Sequence, residues 1–437
     1  MNGERVGTWA QTTAGVDQFS YDESWLASPR VRPLSITLPF LPGNEDHRGE
    51  HVTTWFANLL PDSGEILKRI ASRFRVATDA RSLLAEIGRD CVGAVQILPA
   101  DEEPNERGSL EKDELTVADV ARTLRSVTSS AALHFDDEPF RISVAGAQEK
   151  TALLRLDNHW YRPGRTTPTT HILKLPLGLV GNMRFNLEDS VANEWVCLRF
   201  LRALGFDVAN AEMAAFHDDV STERVLIVER FDRQWTNDQR DIIRIPQEDF
   251  CQATATAPSK KYESDGGPGI ADIVRILRSG INPEEDIRTF VLSQLAFWLL
   301  AAIDGHAKNF SLFLRRDGYT LTPLYDVISA WPIIGHGPTQ LPIQKATLAM
   351  AVRCKHKHYD IDRIGSRHWR CLADQTQVPF AELQHLVQRV PAAIAETESD
   401  LPADFPEWVW GAIADGLRRN AERFSSLSHT LLASHPT

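Results

Sequence analysis

The hydrophobic pattern of this chain changes character near Asp249. Before that position, short apolar runs typical of strands recur at 150–156, 171–175 and 225–228. After it, apolar residues recur mainly at helical spacing, apart from two runs that flank Arg316-Asp317-Gly318 and predict a hairpin. We therefore expect an α+β fold with two lobes, a β-containing N-terminal part, a mainly helical C-terminal lobe and a cleft between the lobes.

The length of 437 residues allows two or three domains. The acidic stretch at 101–114 contains proline and glycine and is the best candidate for a linker. We predict three regions: an N-terminal subdomain at 1–110, a strand-rich core at 111–245 and a helical lobe at 246–437.

Charge and composition exclude several classes of protein. The formal net charge of −12 argues against non-specific binding of nucleic acid over the whole surface, so a contact with DNA would need a local patch or a basic partner. The longest apolar stretch, 295–303, is shorter than the roughly 20 residues that a membrane span needs. The N-terminus lacks the apolar run of a signal peptide. The five cysteines include no CxxC pair, which argues against a zinc ribbon or a redox motif, and their odd number fits a reducing compartment. We expect a cytoplasmic protein without a membrane partner.

The segment 303–309 carries the strongest indication of chemistry. Asp304 and Asn309 have the spacing that a kinase catalytic loop uses for the carboxylate near the acceptor hydroxyl and the amide that holds a metal. A predicted buried helix at 289–302 leads into Asp304, and the predicted hairpin after the loop ends at Asp326, where a kinase has a second metal ligand. Magnesium prefers such oxygen ligands. These positions predict a catalytic base at Asp304 and magnesium ligands at Asn309 and Asp326.

The D-x-x-x-x-N spacing by itself occurs often by chance. The helix before it and the hairpin after it make the pattern more specific, but they leave about even odds for a chance match. His306 lies inside the loop, and no second histidine has the spacing of a metal ligand. We therefore interpret His306 as a residue that stabilises the loop.

A kinase also needs a cation on the phosphates of ATP, and Lys174 in the strand at 171–175 is the candidate. About twenty residues later, a predicted helix at 190–204 carries Glu194 within an apolar stripe, where an unpaired charge would be costly. Lys174 and Glu194 match the lysine and glutamate that kinases pair. A solvated Glu194 at the edge of the stripe remains the alternative.

Several motifs of eukaryotic-type kinases are missing. The sequence contains no G-x-G-x-x-G loop, no H-R-D and no D-F-G. The small-residue segment 143–150 leads into a strand and is the best substitute for the phosphate loop, because its backbone N–H groups could contact phosphate. Many turns look like this one, so the segment has little weight alone.

Together, these motifs resemble the HipA family of bacterial toxin kinases over nearly the whole chain. The resemblance rests on strings in both parts of the sequence. In the N-terminal part they are WLAS (25–28), NLLPD (58–62), EIGRD (86–90) and VGAV (92–95). In the later part they are RISVAGAQEKT (141–151), TTHILK (169–174), VERFDR (228–233), PQED (246–249), KYESDGGPG (261–269) and DGHAKN (304–309). The resemblance implies a protein-kinase-like fold.

The resemblance also implies roles for individual residues. It implies Asp304 as the catalytic base, Asn309 and Asp326 as magnesium ligands, and Ser143 as the serine that family members autophosphorylate. ATP would be bound by a covering loop, a phosphate lysine, a hinge that reads adenine, and residues around the catalytic loop: Ala145, Gly146, Ala147, Gln148, Glu149, Lys150, Lys174, Glu229, Arg230, Phe231, His306, Ala307, Lys308, Asn309, Tyr325 and Asp326. All of these positions are intact, which argues against a pseudokinase.

The family resemblance further implies partners. HipA-type toxins are encoded with a small helix-turn-helix antitoxin of the HipB type, and the pair represses its own operon by binding operator DNA. The best-known substrate of the family is glutamyl-tRNA synthetase, whose phosphorylation inhibits translation and promotes dormancy. We expect ATP and Mg²⁺ as cofactors, and such an antitoxin, operator DNA and a protein substrate as partners.

Two other functions remain open at this stage. A small-molecule or lipid kinase could use the same D-x-x-x-x-N loop, and a non-catalytic corepressor could act only through an antitoxin and DNA. A basic cluster, Arg353, Lys355 and Lys357, is unusual in an acidic chain. It could contact DNA phosphates, or it could be an ordinary solvated loop.

Overall fold

The structure is a computed structural model, and it describes residues 1–104, 108, 110–128, 148–164, 166–180 and 185–432. The chain forms two compact units. The first unit consists of 1–175, 210–260 and 311–319, and the second consists of 176–209, 261–310 and 320–437.

The strands are β1 (Gly7–Gln11), β2 (Asp17–Tyr21), β3 (His47–Arg48), β4 (Lys112–Leu115), β5 (Lys150–Leu156), β6 (His159–Pro163), β7 (His171–Lys174), β8 (Gly178–Val180), β9 (Phe185–Leu187), β10 (Ala211–His217), β11 (Thr222–Glu229), β12 (Arg233–Trp235), β13 (Ile242–Arg244), β14 (Gln247–Asp249), β15 (Ser311–Arg315), β16 (Gly318–Leu321), β17 (Thr347–Arg353) and β18 (Lys357–Asp360). The α-helices are α1 (Glu23–Leu26), α2 (Glu50–Ala57), α3 (Gly64–Phe74), α4 (Ala80–Ile87), α5 (Val117–Thr128), α6 (Ser190–Ala203), α7 (Phe250–Ala253), α8 (Ile270–Leu277), α9 (Pro283–Leu300), α10 (Ser366–Thr376), α11 (Phe380–Ser399) and α12 (Glu407–Leu432). Strands β15 and β16 flank the predicted turn at 316–317.

The N-terminal part of the first unit is a small α+β subdomain. Strands β1, β2 and β3 form an antiparallel sheet. The indole of Trp9 stacks on the ring of Phe56 with 4.0 Å between the ring centroids. Helices α2 and α4 contribute Trp55 and Leu83 to a core that includes Trp25. These large apolar side chains give the subdomain a hydrophobic core of its own.

A six-stranded antiparallel sheet forms the centre of the first unit, in the order β10-β11-β7-β5-β6-β4. Helix α5 is capped by Thr116, whose hydroxyl accepts a hydrogen bond from the backbone N–H of Asp119 at 3.2 Å. Val120 and Leu124 of α5 belong to the same buried cluster as Leu173 of β7. This core holds β7, the strand that carries Lys174.

A buried ionic network lies in the first unit. The carboxylate of Asp90 accepts hydrogen bonds from Arg233 at 2.9 Å, from Arg230 and Arg244 at 3.1 Å each, and from the hydroxyl of Thr169 at 2.7 Å. Burial alone would raise the pKa of Asp90, but the guanidinium groups of Arg233, Arg230 and Arg244 hold it well below its usual range. These contacts tie the family string at 86–90 to the string at 228–233.

A second carboxylate, Asp232, completes this network. Its oxygens accept hydrogen bonds from Arg230 at 2.8 and 3.0 Å and from the backbone N–H of Gly93 at 2.7 Å, and they form an ion pair with Arg233 at 2.9 Å. Gly93 has φ +75°, and a Cβ there would lie 2.7 Å from the carbonyl oxygen of Gln247, so a larger residue does not fit. The buried arginines explain the acidic residues in these strings, and the close approach of Gln247 explains the glycine at position 93.

Glu248 is a buried acid whose titration should affect stability. Its side chain is 0% exposed and accepts hydrogen bonds from the backbone N–H of Ile36 at 2.9 Å and the indole N–H of Trp55 at 3.1 Å. Burial raises the pKa of Glu248 to about 7. The folded protein therefore holds this proton at a pH where the unfolded chain has released it, so stability should fall as the pH rises toward 7.

We expect the ionisation of Glu248 to lower the free energy of unfolding by about 2 kcal/mol between about pH 5.5 and about pH 8. Urea unfolding at the two pH values measures the drop. The Glu248→Gln variant, which cannot ionise at this position, should lose this part of the pH dependence. An unchanged pH dependence in the variant would contradict the assignment.

The second unit has a largely helical core around α9. The aromatic ring of Phe310 packs against Phe290 and Phe297 of α9, with centroid distances of 5.1 and 5.4 Å. The helix begins at Pro283 and ends at Leu300, so it starts earlier than the predicted 289–302. The hydroxyl of Ser329 donates to the carbonyl of Leu300 at 2.6 Å and satisfies a carbonyl at the end of the helix. Within the described residues, no helix is long and apolar enough to span a membrane.

The cysteines do not follow the pattern that we inferred from their spacing. Cys354, in the turn between β17 and β18, forms a disulfide with Cys371 of α10, and their Cα atoms lie 5.1 Å apart. Cys91, Cys197 and Cys251 are buried and take part in no disulfide within the described residues. This disulfide was not expected, because the odd number of cysteines indicated no disulfide framework. The two partners are 17 residues apart in sequence, and the hairpin and helix that bring them together could not be derived from cysteine spacing.

Candidate active site

The predicted catalytic loop follows α9 through a tight turn. The backbone N–H of His306 donates to the carbonyl of Asp304 at 2.8 Å, and that of Asn309 donates to the carbonyl of His306 at 2.9 Å. At Gly305, a Cβ would lie 2.4 Å from the ring of Phe297, so the loop packs closely onto the helix. The turn leaves the Asp304 side chain 63% exposed, whereas Asn309 is 2% exposed. An exposed carboxylate thus lies five residues before a buried amide.

Asn309 and Asp326 are neighbours, as the sequence predicts. The side-chain amide of Asn309 donates from Nδ2 to the backbone carbonyl of Asp326 at 3.1 Å. Asp326 has φ +58°, a left-handed conformation that aspartate tolerates better than most residues and that is common at functional sites. The hydrogen bond fixes the Asn309 amide.

The Oδ1 atom of Asn309 is buried and has no hydrogen-bond partner among the described residues. A buried polar oxygen without a partner is costly, and a cation would satisfy it. Amide and carboxylate oxygens also suit Mg²⁺. The residues therefore fit a magnesium ion. No group of three or more His, Cys, Asp or Glu side chains suited to a metal occurs in the described part of the chain.

Tyr262 reaches the carboxylate of Asp304, and no motif in the sequence had indicated a role for it. Its hydroxyl donates a hydrogen bond to Oδ1 of Asp304. Its ring packs edge-on against the ring of His306 with 5.1 Å between centroids. His306 is 4% exposed, and its Nε2 lies 3.8 Å from Oδ1 of Asp304. Tyr262 belongs to the family string 261–269, but its separation of 42 residues from Asp304 gave no sign that the two touch.

Three further predicted residues lie in this cluster. The hydroxyl of Tyr325 donates to the backbone carbonyl of Lys308 at 2.8 Å. The backbone N–H of Ala307 donates to the carbonyl of Lys261 at 3.3 Å. These bonds connect the catalytic loop to the segments before Asp326 and around Tyr262. The structure thus brings His306, Ala307, Lys308, Asn309, Tyr325 and Asp326 together within the second unit.

Lys150 and Lys174 face each other on adjacent strands of the first unit. They are directly opposite in the antiparallel register of β5 and β7. Lys174 is 6% exposed. Two cations thus lie on neighbouring strands, and the role of Lys174 on the phosphates of ATP stays a prediction.

Glu194 is buried, as the apolar stripe predicts. It is 1% exposed on α6, so the alternative of a solvated glutamate is excluded. The helix ends one residue before the predicted Leu204, and Gly205 follows with φ +92°. Lys174 and Glu194 belong to different units, and their pairing stays a prediction.

Comparison with known proteins decides the family. Residues 142–398 match the family model described as the HipA-like C-terminal domain, and residues 1–98 match the HipA N-terminal domain. The chain belongs to the HipA family. It is 33% identical over 413 residues to "Putative kinase Y4mE" of Sinorhizobium fredii, with 92% of each chain covered. It is 27% identical over 414 residues to "Serine/threonine-protein kinase toxin HipA" of Shewanella oneidensis, with 89% of this chain and 86% of the relative covered.

A solved structure supports the same fold. The chain resembles Shewanella oneidensis HipA, in a complex with HipB and its operator DNA, with a TM-score of 0.77 and 24% identity, over 96% of this chain and 95% of the other. This likeness confirms the predicted α+β, two-lobed, protein-kinase-like fold. The names of the two relatives support kinase activity at the level of the HipA family.

Part of the HipA-family string at 228–233 stabilises the fold. The backbone N–H of Glu229 donates to the carbonyl of Asn210 at 2.9 Å, and that of Arg230 donates to the carbonyl of Thr170 at 2.8 Å. The side chain of Arg230 is buried in the network with Asp90. Its guanidinium therefore stabilises the fold, and a role of this segment in reading adenine would have to use other groups.

The predicted ATP loop of this HipA-family chain is described only in part. Ser143, Ala145, Gly146 and Ala147 lie outside the described residues. Of the neighbouring residues, Gln148 donates from its side chain to the carbonyl of Leu175. The carboxylate of Glu149 accepts from Arg69 at 2.6 and 2.7 Å. Phe231, which is predicted to lie in the hinge, packs edge-on against Phe313 with 5.8 Å between the ring centroids.

The basic cluster differs from the sequence expectation in one respect. Arg353 and Lys355 are exposed at the end of β17 and in the following turn. Lys357 instead forms an ion pair with Glu263 at 2.9 Å, and this hydrogen bond raises the pKa of the Lys357 ammonium. Its charge is therefore balanced within the protein, which leaves Arg353 and Lys355 as the better candidates for a phosphate contact.

Proposed function

We propose that this HipA-family protein is the toxin serine/threonine-protein kinase of a type II toxin–antitoxin system, and that it transfers the γ-phosphate of ATP to a protein serine. One observation carries the proposal. The exposed carboxylate of Asp304 lies five residues before Asn309, whose buried Oδ1 has no hydrogen-bond partner in the described part of the chain and whose Nδ2 is bonded to Asp326. This is the residue set that kinase phosphotransfer requires.

Each residue then has a chemical task. Asp304 orients the acceptor hydroxyl and accepts its proton. Asn309 and Asp326 would hold Mg²⁺, which supplies positive charge that neutralises the phosphates of ATP. Lys174, with Lys150 opposite it on the neighbouring strand, would bind the phosphates. The loop 145–150 and the segment 229–231 would cover the phosphates and receive the adenine.

The biological setting follows from the family. The relative from Shewanella oneidensis is named a toxin, and the similar solved structure is a complex of HipA, HipB and operator DNA. We infer for this chain a HipB-type helix-turn-helix antitoxin and repression of its own operon. By family resemblance, the substrate is glutamyl-tRNA synthetase, the consequence is inhibited translation and dormancy, and the site of autophosphorylation is Ser143.

Phosphoproteomics after brief expression tests the function. Proteins that are phosphorylated with the wild type but not with Asp304→Asn form the substrate list, and glutamyl-tRNA synthetase should be among them. A small-molecule or lipid kinase would consume ATP without labelling proteins. A non-catalytic corepressor would consume no ATP. Either result would contradict the proposal.

The metal role of Asp326 gives a direct prediction. The Asp326→Asn variant removes the negative charge, and asparagine adopts the left-handed conformation at φ +58° more readily than alanine. We expect the affinity for ATP in the presence of Mg²⁺ to fall by about tenfold or more, because a charged ligand of the metal is lost. Calorimetric titration with and without Mg²⁺ measures the change. Asp317→Asn, in an exposed turn, is the control, and an equal affinity in Asp326→Asn and this control would exclude Asp326 as a ligand.

The contact with operator DNA also gives a prediction. In the complex with its antitoxin, the Arg353→Ala/Lys355→Ala double variant should lower the slope of log affinity against log salt by about two, because each lost phosphate contact contributes about one. Fluorescence anisotropy with operator DNA at several salt concentrations measures the slope. Lys357→Ala should change the slope little, since Glu263 already balances that charge. An unchanged slope in the double variant would exclude the contact.

A further inference from the structure

The carboxylate of Asp304 needs a fixed orientation for its proposed role, and its exposed position does not by itself provide one. The Asp304 side chain is 63% exposed, so its carboxylate could rotate about the side-chain torsions. A group that accepts a proton during phosphotransfer must point at the acceptor hydroxyl, and small errors in position are costly. The hydroxyl of Tyr262 donates to Oδ1 of Asp304 and restricts this rotation.

Tyr262 is itself held against the catalytic loop. Its ring packs edge-on against His306, which is 4% exposed. The carbonyl of the preceding residue, Lys261, accepts the backbone N–H of Ala307 at 3.3 Å. The phenol is therefore fixed to the same loop that carries Asp304, so the two groups keep their relative position.

Glu263, the residue after Tyr262, is also held in place by contacts of its side chain. The carboxylate of Glu263 accepts the backbone N–H of Ala351 at 2.6 Å and pairs with Lys357 at 2.9 Å. Its side chain is 10% exposed. Gly269 lies against it so closely that a Cβ there would be 2.5 Å from Cδ of Glu263. We call residues 261–263 the tyrosine strap, since they run from the catalytic loop to the hairpin of β17 and β18.

We propose that Tyr262 is a positioning residue for phosphotransfer. The tyrosine strap holds its hydroxyl on Oδ1 of Asp304, so that Oδ2 is directed to the hydroxyl of the acceptor serine. The assignment rests on the proposed role of Asp304. Tyr262 acts through Asp304 and contributes to the rate of transfer rather than to the binding of nucleotide.

The Tyr262→Phe variant of the full chain tests this role, because it removes the hydroxyl and keeps the ring on His306. The initial rate of phosphate transfer from radiolabelled ATP and Mg²⁺ into lysate proteins should fall by about 10- to 100-fold at saturating ATP. The KM for ATP should change by less than about twofold, since a positioning effect appears in kcat. Tyr161→Phe, in the first unit, is the matched control and should transfer phosphate at the wild-type rate.

A parallel measurement on Asp304→Asn separates two kinds of failure. If Asp304→Asn is inactive and Tyr262→Phe is as active as the wild type, the role of Tyr262 is overturned and the proposed function stands. If Asp304→Asn remains active, the proposed function fails. A faster Tyr262→Phe would show that the phenol blocks the acceptor instead of positioning Asp304, which also overturns the proposal.

A second variant keeps the test decisive if Tyr262→Phe does not fold. Glu263→Gln leaves the phenol intact but removes the ion pair with Lys357 that anchors the tyrosine strap. We expect a rate at saturating ATP that is lower by about threefold or more, with an unchanged KM for ATP. A wild-type rate in this variant would contradict the role of the strap.

Discussion

Replacement of Asp304 by asparagine is expected to reduce phosphotransfer by about 100- to 10,000-fold. The amide has the shape of the carboxylate but cannot accept the proton of the acceptor hydroxyl. Folding should be unaffected, because the side chain is 63% exposed and the amide oxygen can still accept the hydrogen bond from Tyr262. Transfer of labelled phosphate from ATP to protein, measured on the purified variant, gives the size of the loss.

Two controls accompany this measurement. The urea midpoint of Asp304→Asn should equal that of the wild type, which shows that the variant is folded. Its affinity for ATP with Mg²⁺ should also be retained, because Asn309 and Asp326 are intact. A folded variant with less than about a tenfold loss of activity would remove Asp304 from the catalytic role.

Replacement of Asp90 by asparagine is expected to destabilise the first unit by about 3–5 kcal/mol. The Asp90 carboxylate is 2% exposed and accepts hydrogen bonds from Arg230, Arg233 and Arg244. The neutral amide would leave these buried guanidinium groups without sufficient negative charge and would direct N–H donors toward other donors. Urea or thermal unfolding should therefore show a large loss of stability, or the variant should fail to fold.

The matched control is Asp415→Asn, which removes the same charge from a pair on the surface. Asp415 pairs with Arg418 at 3.1 Å, but their side chains are 82% and 51% exposed. Exposed pairs of this kind contribute about 0–1 kcal/mol. An equal effect of the two substitutions would contradict the structural role of the Asp90 network. Because the pKa of Asp90 is lowered in the folded protein, its contribution should be present at neutral pH and lost as the pH falls.

The sequence by itself determined the fold class and predicted the candidate catalytic loop. Strand-like patterns before Asp249 and helical patterns after it reflect the periods of the two structures, which depend only on local sequence. The spacing of Asp304 and Asn309 is also local, and their positions relative to α9 followed from the apolar run before them. Burial of Glu194 followed from its place within an apolar stripe. The long sequence strings that this chain shares with the HipA family indicated the family directly.

The tertiary structure decided the interactions between residues that are distant in sequence. The bond of Tyr262 to Asp304 and the disulfide of Cys354 with Cys371 depend on how segments pack, and no spacing encodes them. The structure also separated residues that the sequence grouped together. Arg230 is held within the core by Asp90, and Lys357 is paired with Glu263, because charges placed near each other by folding neutralise each other. A sequence lists the charged groups, but only the folded chain determines which of them are paired.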